Sequence, residues 1–193
     1  MLLALLLFAD TIVEVPKQVP APALIVLHGD RESAATAAAR WRAAVRERGW
    51  ILVAPDAPGE TRSWWQWDGD AAVVTGLVKE LAPTKVYIAG WSGGASYLGA
   101  HAAKLGIAGV VIHGGGMPPR DGVCPAHPLP AYFLVGDANP LHHLAVALRA
   151  YFAACHDDVV WDLVHRGDHD AEARALTKAK ALLILDWLSA HGS

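Results

Sequence analysis

From residue 23 onward, short apolar runs alternate with stretches patterned like helices, and no other feature limits the fold as tightly. Apolar runs without polar alternation suit strands buried on both faces, and such strands belong to a parallel sheet whose connecting helices cover it. Leu24 to Leu27 is one such run, with His28-Gly29-Asp30 opening a loop at its carboxyl end. Residues 34–48 are rich in Ala and Arg, Ser33 can cap their start and Gly49 their end, so a helix follows. Trp50 to Ala54 reads as the next strand. Asp70 can then cap a helix with Val73, Val74, Leu77, Val78 and Leu81 on one face and Pro83 at its stop. The pattern continues with a strand over Lys85 to Ala89, a helix over 95–104 and a strand over Ile107 to Ile112. A Gly- and Pro-rich connection leads to a strand over Ala131 to Val135, a helix over Leu141 to Cys155, a strand over Val159 to Val164 and one closing helix, Ala171 to Ala190. The expectation is an α/β fold, a three-layer α/β/α sandwich with a mostly parallel sheet.

With 193 residues, 53% of them hydrophobic and 18% charged, the chain suits a single globular domain, residues 1–193. Its 16 basic and 19 acidic residues are scattered, and without a basic block to follow a phosphate backbone nucleic acid is not an expected partner. Met1 to Ala9 is apolar but shorter than the roughly 20 residues of a membrane span, so no membrane association is expected. Its length suits a signal-peptide core, yet no basic residue precedes Lys17 and Leu7 stands where a cleavage site needs a small residue. A buried first strand, and a cytoplasmic rather than exported protein, is therefore the favoured reading. Residues 1–22 have room for two short edge strands at most. Cys124 and Cys155 have neither zinc-site spacing nor the density of a disulfide scaffold, and a single bridge between them is left open.

Gly90-Trp91-Ser92-Gly93-Gly94 has the form G-x-S-x-G and stands between a strand pattern and a helix pattern, the context in which that motif presents a nucleophilic serine. The turn is sharp enough to strain the serine, and the flanking glycines let neighbouring backbone approach without a Cβ clash. At the start of a helix, free N–H groups can stabilise negative charge developing on an acyl-transfer intermediate, and Gly93 N–H is one candidate donor.

On these residues the chain, over 23–190, resembles the α/β-hydrolase superfamily, and within it the lidless esterases of the polyhydroxybutyrate depolymerase, feruloyl esterase and dienelactone hydrolase groups. By that resemblance His28-Gly29 is the oxyanion turn and Asp30 N–H the second oxyanion donor. The ring of His28 reads equally well as a hydrogen-bonded histidine at a strand end. The resemblance places the base in the loop after the last strand, which here holds Gly167-Asp168-His169, so His169 is the expected base and His165 a partly exposed surface residue. The family's acid position, in the turn Gly136-Asp137-Ala138-Asn139, falls on an amide, Asn139. Asp137 is the favoured carboxylate and a Ser-His-Asn arrangement its rival.

Trp64, Trp65 and Trp67 follow the strand at 50–54 on the ligand-binding side of such sheets, and Trp64, Trp65 and Trp91 are candidate substrate-lining residues. His113, His127, His142 and His143 lack metal-ligand spacing and read as scattered surface histidines. Gly114-Gly115-Gly116 is followed by prolines rather than a P-loop lysine and reads as an eased turn near the site. The resemblance implies hydrolysis of a small carboxylic ester by Ser92 and His169, needing no metal or cofactor. The alternative is a binding protein of the same fold with impaired turnover, because of Asn139.

Overall fold

The computed structural model describes residues 11–59, 61–64, 72–81 and 85–192. Among the described residues seven strands form one sheet: β1 (Thr11–Glu14), β2 (Ala23–Leu27), β3 (Ile51–Pro55), β4 (Val86–Trp91), β5 (Gly109–His113), β6 (Ala131–Gly136) and β7 (Val159–Val164). Their order across the sheet is β1-β3-β2-β4-β5-β6-β7, antiparallel between β1 and β3 and parallel elsewhere. The helices are α1 (Ala34–Arg48), α2 (Ala72–Leu81), α3 (Gly93–His101, with a 3-10 turn over Ala102–Lys104), α4 (His142–Ala154), α5 (His169–Ala175) and α6 (Lys178–His191).

Strands β2 to β6 are buried throughout, as unbroken apolar runs require, and alternate residues serve opposite layers. Ile25, Leu27, Val53, Ile88 and Phe133 pack with Leu77, Leu98 and Leu148 of α2, α3 and α4. Leu24, Val26, Leu52, Ala89 and Leu134 pack with Trp41 of α1 and Ile184 and Leu188 of α6. This is the expected three-layer sandwich. Of the edge strands allowed for residues 1–22, the described residues contain β1; Met1 to Ala9 lie outside them.

Local chemistry sets the helix ends. The Ser33 hydroxyl accepts from Thr36 N–H, and Gly49 takes the left-handed conformation (φ 67°) that ends α1, as expected. Asp70 and Pro83, expected to bound α2, lie outside the described residues. The single closing helix does not form. Asp168 caps a short α5 by accepting from Ala171 N–H at 2.8 Å, and Thr177 starts α6 by accepting from Lys180 N–H at 3.2 Å. A helical periodicity passes over such an interruption because Leu176 keeps the apolar rhythm while the backbone leaves the helix.

After β5 the chain returns to β6 without regular structure and is fastened to the α3/α4 layer. Lys104 pairs with Asp121, Tyr151 Oη–H donates to Val123 O at 2.6 Å, and Cys124 is bonded to Cys155, the residue after α4, with Cα atoms 5.5 Å apart. The bridge left open by the sequence is present.

The order places a switch point between β2 and β4. The chain leaves β2 through α1 toward β3 on one side and leaves β4 through α3 toward β5 on the other, so the loops diverge and a crevice opens at the carboxyl ends. Gly29-Asp30 and Ser92 stand on its two sides.

Candidate active site

Ser92 joins β4 to α3 with φ 52° and ψ −112°, a backbone conformation that costs an L-residue about 1–3 kcal/mol unless its surroundings enforce it. They do so through backbone contact. Ser92 N–H donates to His113 O at 2.9 Å and Ser92 O accepts from Ser96 N–H at 3.0 Å. A Cβ on Gly90 would lie 2.5 Å from Gly94 O, one on Gly94 2.6 Å from Leu27 O, and one on Gly115 2.6 Å from Ser92 O. Any side chain at these three positions would push the elbow apart.

The serine Oγ lies 2.9 Å from His169 Nε2. His169 opens α5, its side chain 42% exposed, and its Nδ1 is 2.9 Å from Oε2 of Glu172, one helical turn further on and only 1% exposed. The buried carboxylate is well provided with donors. Oε1 accepts from Gly136 N–H at 2.5 Å, and Oε2 accepts from Asn139 Nδ2 at 2.7 Å as well as from His169 Nδ1–H. With Nδ1 as donor, Nε2 is left unprotonated and able to accept the Ser92 hydroxyl proton.

The acid expected at Asp137 is not there. Its carboxylate is exposed and lies 3.7 Å from His165 Nδ1, itself an exposed side chain as expected. Asn139 does face His169, its Nδ2 3.2 Å from Nδ1, but its hydrogen bond goes to Glu172. The turn that the resemblance assigns to an acid therefore holds the amide that secures one. The overlooked signal was spacing: Asp168 can cap a helix, and counting from it puts Glu172 on the same face as His169.

On the other side of the crevice, a Cβ on Gly93 would lie 2.1 Å from Asp30 Oδ1 and 3.4 Å from Asp30 N, so the backbones of these two residues are neighbours. Gly93 N–H begins α3 and has no partner inside the helix. The Asp30 carboxylate accepts from Ser63 Oγ–H at 2.5 Å, which fixes the turn. The ring of His28, fully buried, serves structure: Nε2 accepts from Ala57 N–H at 2.9 Å and Nδ1–H donates to Gly29 O at 2.7 Å.

Two of the aromatic expectations need correction. Trp64 is completely buried, with ring centroids 5.3 Å from Tyr97 and 5.9 Å from His28, and fills core rather than lining a pocket. Trp91 is 8% exposed and stacks on His169, centroids 4.4 Å apart and planes 10° from parallel, so its face is covered by that ring instead of forming an open wall. Trp65 and Trp67 lie outside the described residues. His127 and His143 are exposed, but His113 is buried, 2% exposed, and its Nε2–H donates to Glu172 O at 2.8 Å. Burial holds its pKa down at about 4, so near neutrality it is an uncharged support for the backbone of Glu172. Gly114 (φ 62°) leaves no room for a Cβ, which would meet the Trp91 ring at 2.4 Å, in keeping with an eased turn beside the site.

Two surface grooves lie away from this chemistry. One of about 840 Å³ runs along the amino ends of β4, β5 and β6 by Val86, Ile107 and Leu129, and one of about 700 Å³ lies between Glu14 to Pro22 and the end of α1. Among the described residues no cluster of His, Cys, Asp or Glu is arranged to hold a metal ion, and no helix is long and apolar enough to cross a membrane.

No known protein family's sequence pattern matches the chain, and no curated protein matches it in sequence. Solved structures do match in shape. An acyl-protein thioesterase 2 from Zea mays superposes with a TM-score of 0.68 at 18% identity, covering 94% of this chain and 98% of the other. A carboxylesterase from Bacillus cereus gives 0.67 at 15% identity over 94% and 93%, and the esterase PE8 0.68 at 14% over 92% and 97%. The strand order, the elbow between β4 and α3 and these superpositions agree: the chain has the α/β-hydrolase fold.

Proposed function

We propose that this protein is a serine hydrolase that cleaves a small carboxylic ester or thioester through an acyl-enzyme on Ser92, with His169 as general base and Glu172 as the acid that orients it. The observation that carries this reading is the 2.9 Å approach of Ser92 Oγ to His169 Nε2 from a strained strand-to-helix elbow. Ser92 Oγ attacks the carbonyl carbon and its proton passes to Nε2; the resulting imidazolium is stabilised by Glu172. The carbonyl oxygen, now negative, is received by Asp30 N–H and Gly93 N–H. Collapse expels the alcohol or thiol, which takes the proton from Nε2, and water repeats the sequence on the acyl-enzyme to release the acid and restore Ser92.

The competing idea of an impaired binding protein rested on the amide at 139. A buried carboxylate on the far side of the imidazole supports the enzyme reading over it. The esterase and thioesterase neighbours agree with the hydrolase reading but share too little sequence to choose a substrate. The Cys124–Cys155 bridge also favours an oxidising compartment over the cytoplasm, since such bonds persist where thiols are not kept reduced.

A fluorophosphonate probe tests the chemistry. Labelling of wild type that disappears in Ser92→Ala is expected, and folded wild type that takes no label would refute the reading. A panel of p-nitrophenyl esters and matching thioesters of increasing acyl length then assigns substrate class.

A further inference from the structure

We infer that Trp91, at the first variable position of the Gly90–Gly94 motif, is a positioning residue for the base: its indole holds the His169 ring in line between Ser92 and Glu172 and stabilises the ring when it becomes an imidazolium. This rests on the serine-hydrolase reading above.

The geometry is that of a built platform. The indole and imidazole planes are 10° from parallel with centroids 4.4 Å apart, an arrangement in which the negative face of the indole meets a ring that turns cationic during the reaction. The indole itself has little freedom. A Cβ on Gly29 would sit 2.7 Å from its Cδ1 and one on Gly114 2.4 Å from its Cζ3, so backbone closes on it from two loops. His113 packs against it at 4.4 Å, and the Arg40 guanidinium lies 5.1 Å from its centroid.

The charges around His169 do not duplicate this role. Arg40 is neutralised by a two-point pair with Glu32, whose Oε2 also accepts from Gly29 N–H. His113 is uncharged near neutrality. Asp168 is occupied with Ala171 N–H, Asp137 faces His165, and Asp30 is bonded to Ser63 across the crevice; Asp170, next along α5, is exposed. Glu172 acts in the plane of the imidazole through Nδ1, whereas Trp91 acts on its face. With the His169 side chain 42% exposed to water, the indole restrains the ring on its face, while Glu172 holds it in its plane.

The test measures kcat, KM and the pH profile of kcat/KM on one p-nitrophenyl ester for Trp91→Phe and Trp91→Leu. Loss of the aromatic face should lower kcat by about 2- to 30-fold in Trp91→Leu with KM within about twofold, whereas Trp91→Phe keeps most of the rate. An imidazolium deprived of its platform releases its proton more readily, so the acid limb should move to lower pH, by about half a unit or more in Trp91→Leu. Uniform replacement of tryptophan by 5-fluorotryptophan, which weakens the ring's negative face without altering its shape, should move the limb the same way by less. A folded Trp91→Leu enzyme with unchanged kcat and limb, or equal losses in the Phe and Leu variants, would overturn the inference. Should Trp91→Leu fail to fold, an unmoved limb in both the Phe and fluorinated proteins does so. Fluorophosphonate labelling of wild type at Ser92 is read in parallel, and its failure would strike the hydrolase reading instead.

Discussion

Glu172 and His169 sit one turn apart on the same short helix, and the carboxylate lies 2.9 Å from Nδ1 of the imidazole while almost wholly shielded from water. A carboxylate so placed fixes both the tautomer and the direction of the ring. Removing its charge while keeping its shape should therefore be costly. Glu172→Gln is expected to lower kcat by about 10²- to 10⁴-fold, since the amide can present a donor to Nδ1 and favour the wrong tautomer. Asp137→Ala should stay within about twofold of wild type. Steady-state rates on a p-nitrophenyl ester check both, and equal losses would return the acid to the β6–α4 turn.

The same geometry determines what an acid at 139 would do. Asn139 Nδ2 donates to Glu172 Oε2 at 2.7 Å, so Asn139→Asp replaces a donor with a second carboxylate against a buried one. Two such groups cannot both ionise at this separation without strong repulsion, and one takes up a proton. Asn139→Asp should lose activity at pH 7, by about tenfold or more, and unfold at lower temperature. A variant faster than wild type would mean that position 139 addresses the histidine directly.

His113 makes stability depend on pH. Burial lowers its pKa from 6.5 to about 4, so the unfolded chain binds a proton here before the folded one does. Its contribution is complete above about pH 6.5, falls as pH drops toward 4 and is gone below that, for a total of about 3 kcal/mol. Urea unfolding at pH 7 and pH 4 should reveal this loss, and His113→Gln should flatten that part of the profile. Identical pH dependence in the variant would show that other groups carry it.

Breaking the disulfide should affect the scaffold more than the chemistry. It closes a loop with a sequence separation of 31, for which chain entropy gives about 3–4 kcal/mol of stabilisation. Cys124→Ser/Cys155→Ser is expected to unfold at lower denaturant by that amount while Ser92 still takes a fluorophosphonate label at 25 °C. Loss of labelling in a folded variant would tie the β5–β6 connection to the site.

What could be read from sequence follows the range of the interactions. The sheet, α1 with both its caps, and the Gly90–Gly94 elbow depend on near neighbours and on hydrophobic period, and they form where residue patterns place them. That His169 lies beside Ser92 was legible because it follows the last strand. The buried carboxylate against it was not, because a family position at 139 outweighed a carboxylate three residues from His169, and because starting the last helix at Ala171 instead of His169 hid their shared face. Trp64 and Trp91 were misread for a related reason: in an open loop and in a motif, a large aromatic looks available, whereas packing against Tyr97 and His169 consumes its surface. Burial of His113 likewise comes from α5 folding over the end of β5, which no local pattern announces.

His169 and Glu172 ride together on a segment of seven residues. A rigid tilt of that segment leaves their mutual spacing untouched and alters a single quantity, the reach to the serine oxygen. Damage to its seat should accordingly show up as a nucleophile slow to awaken while the imidazole keeps its tautomer, a failure that proton NMR of the ring can tell apart from loss of the acid.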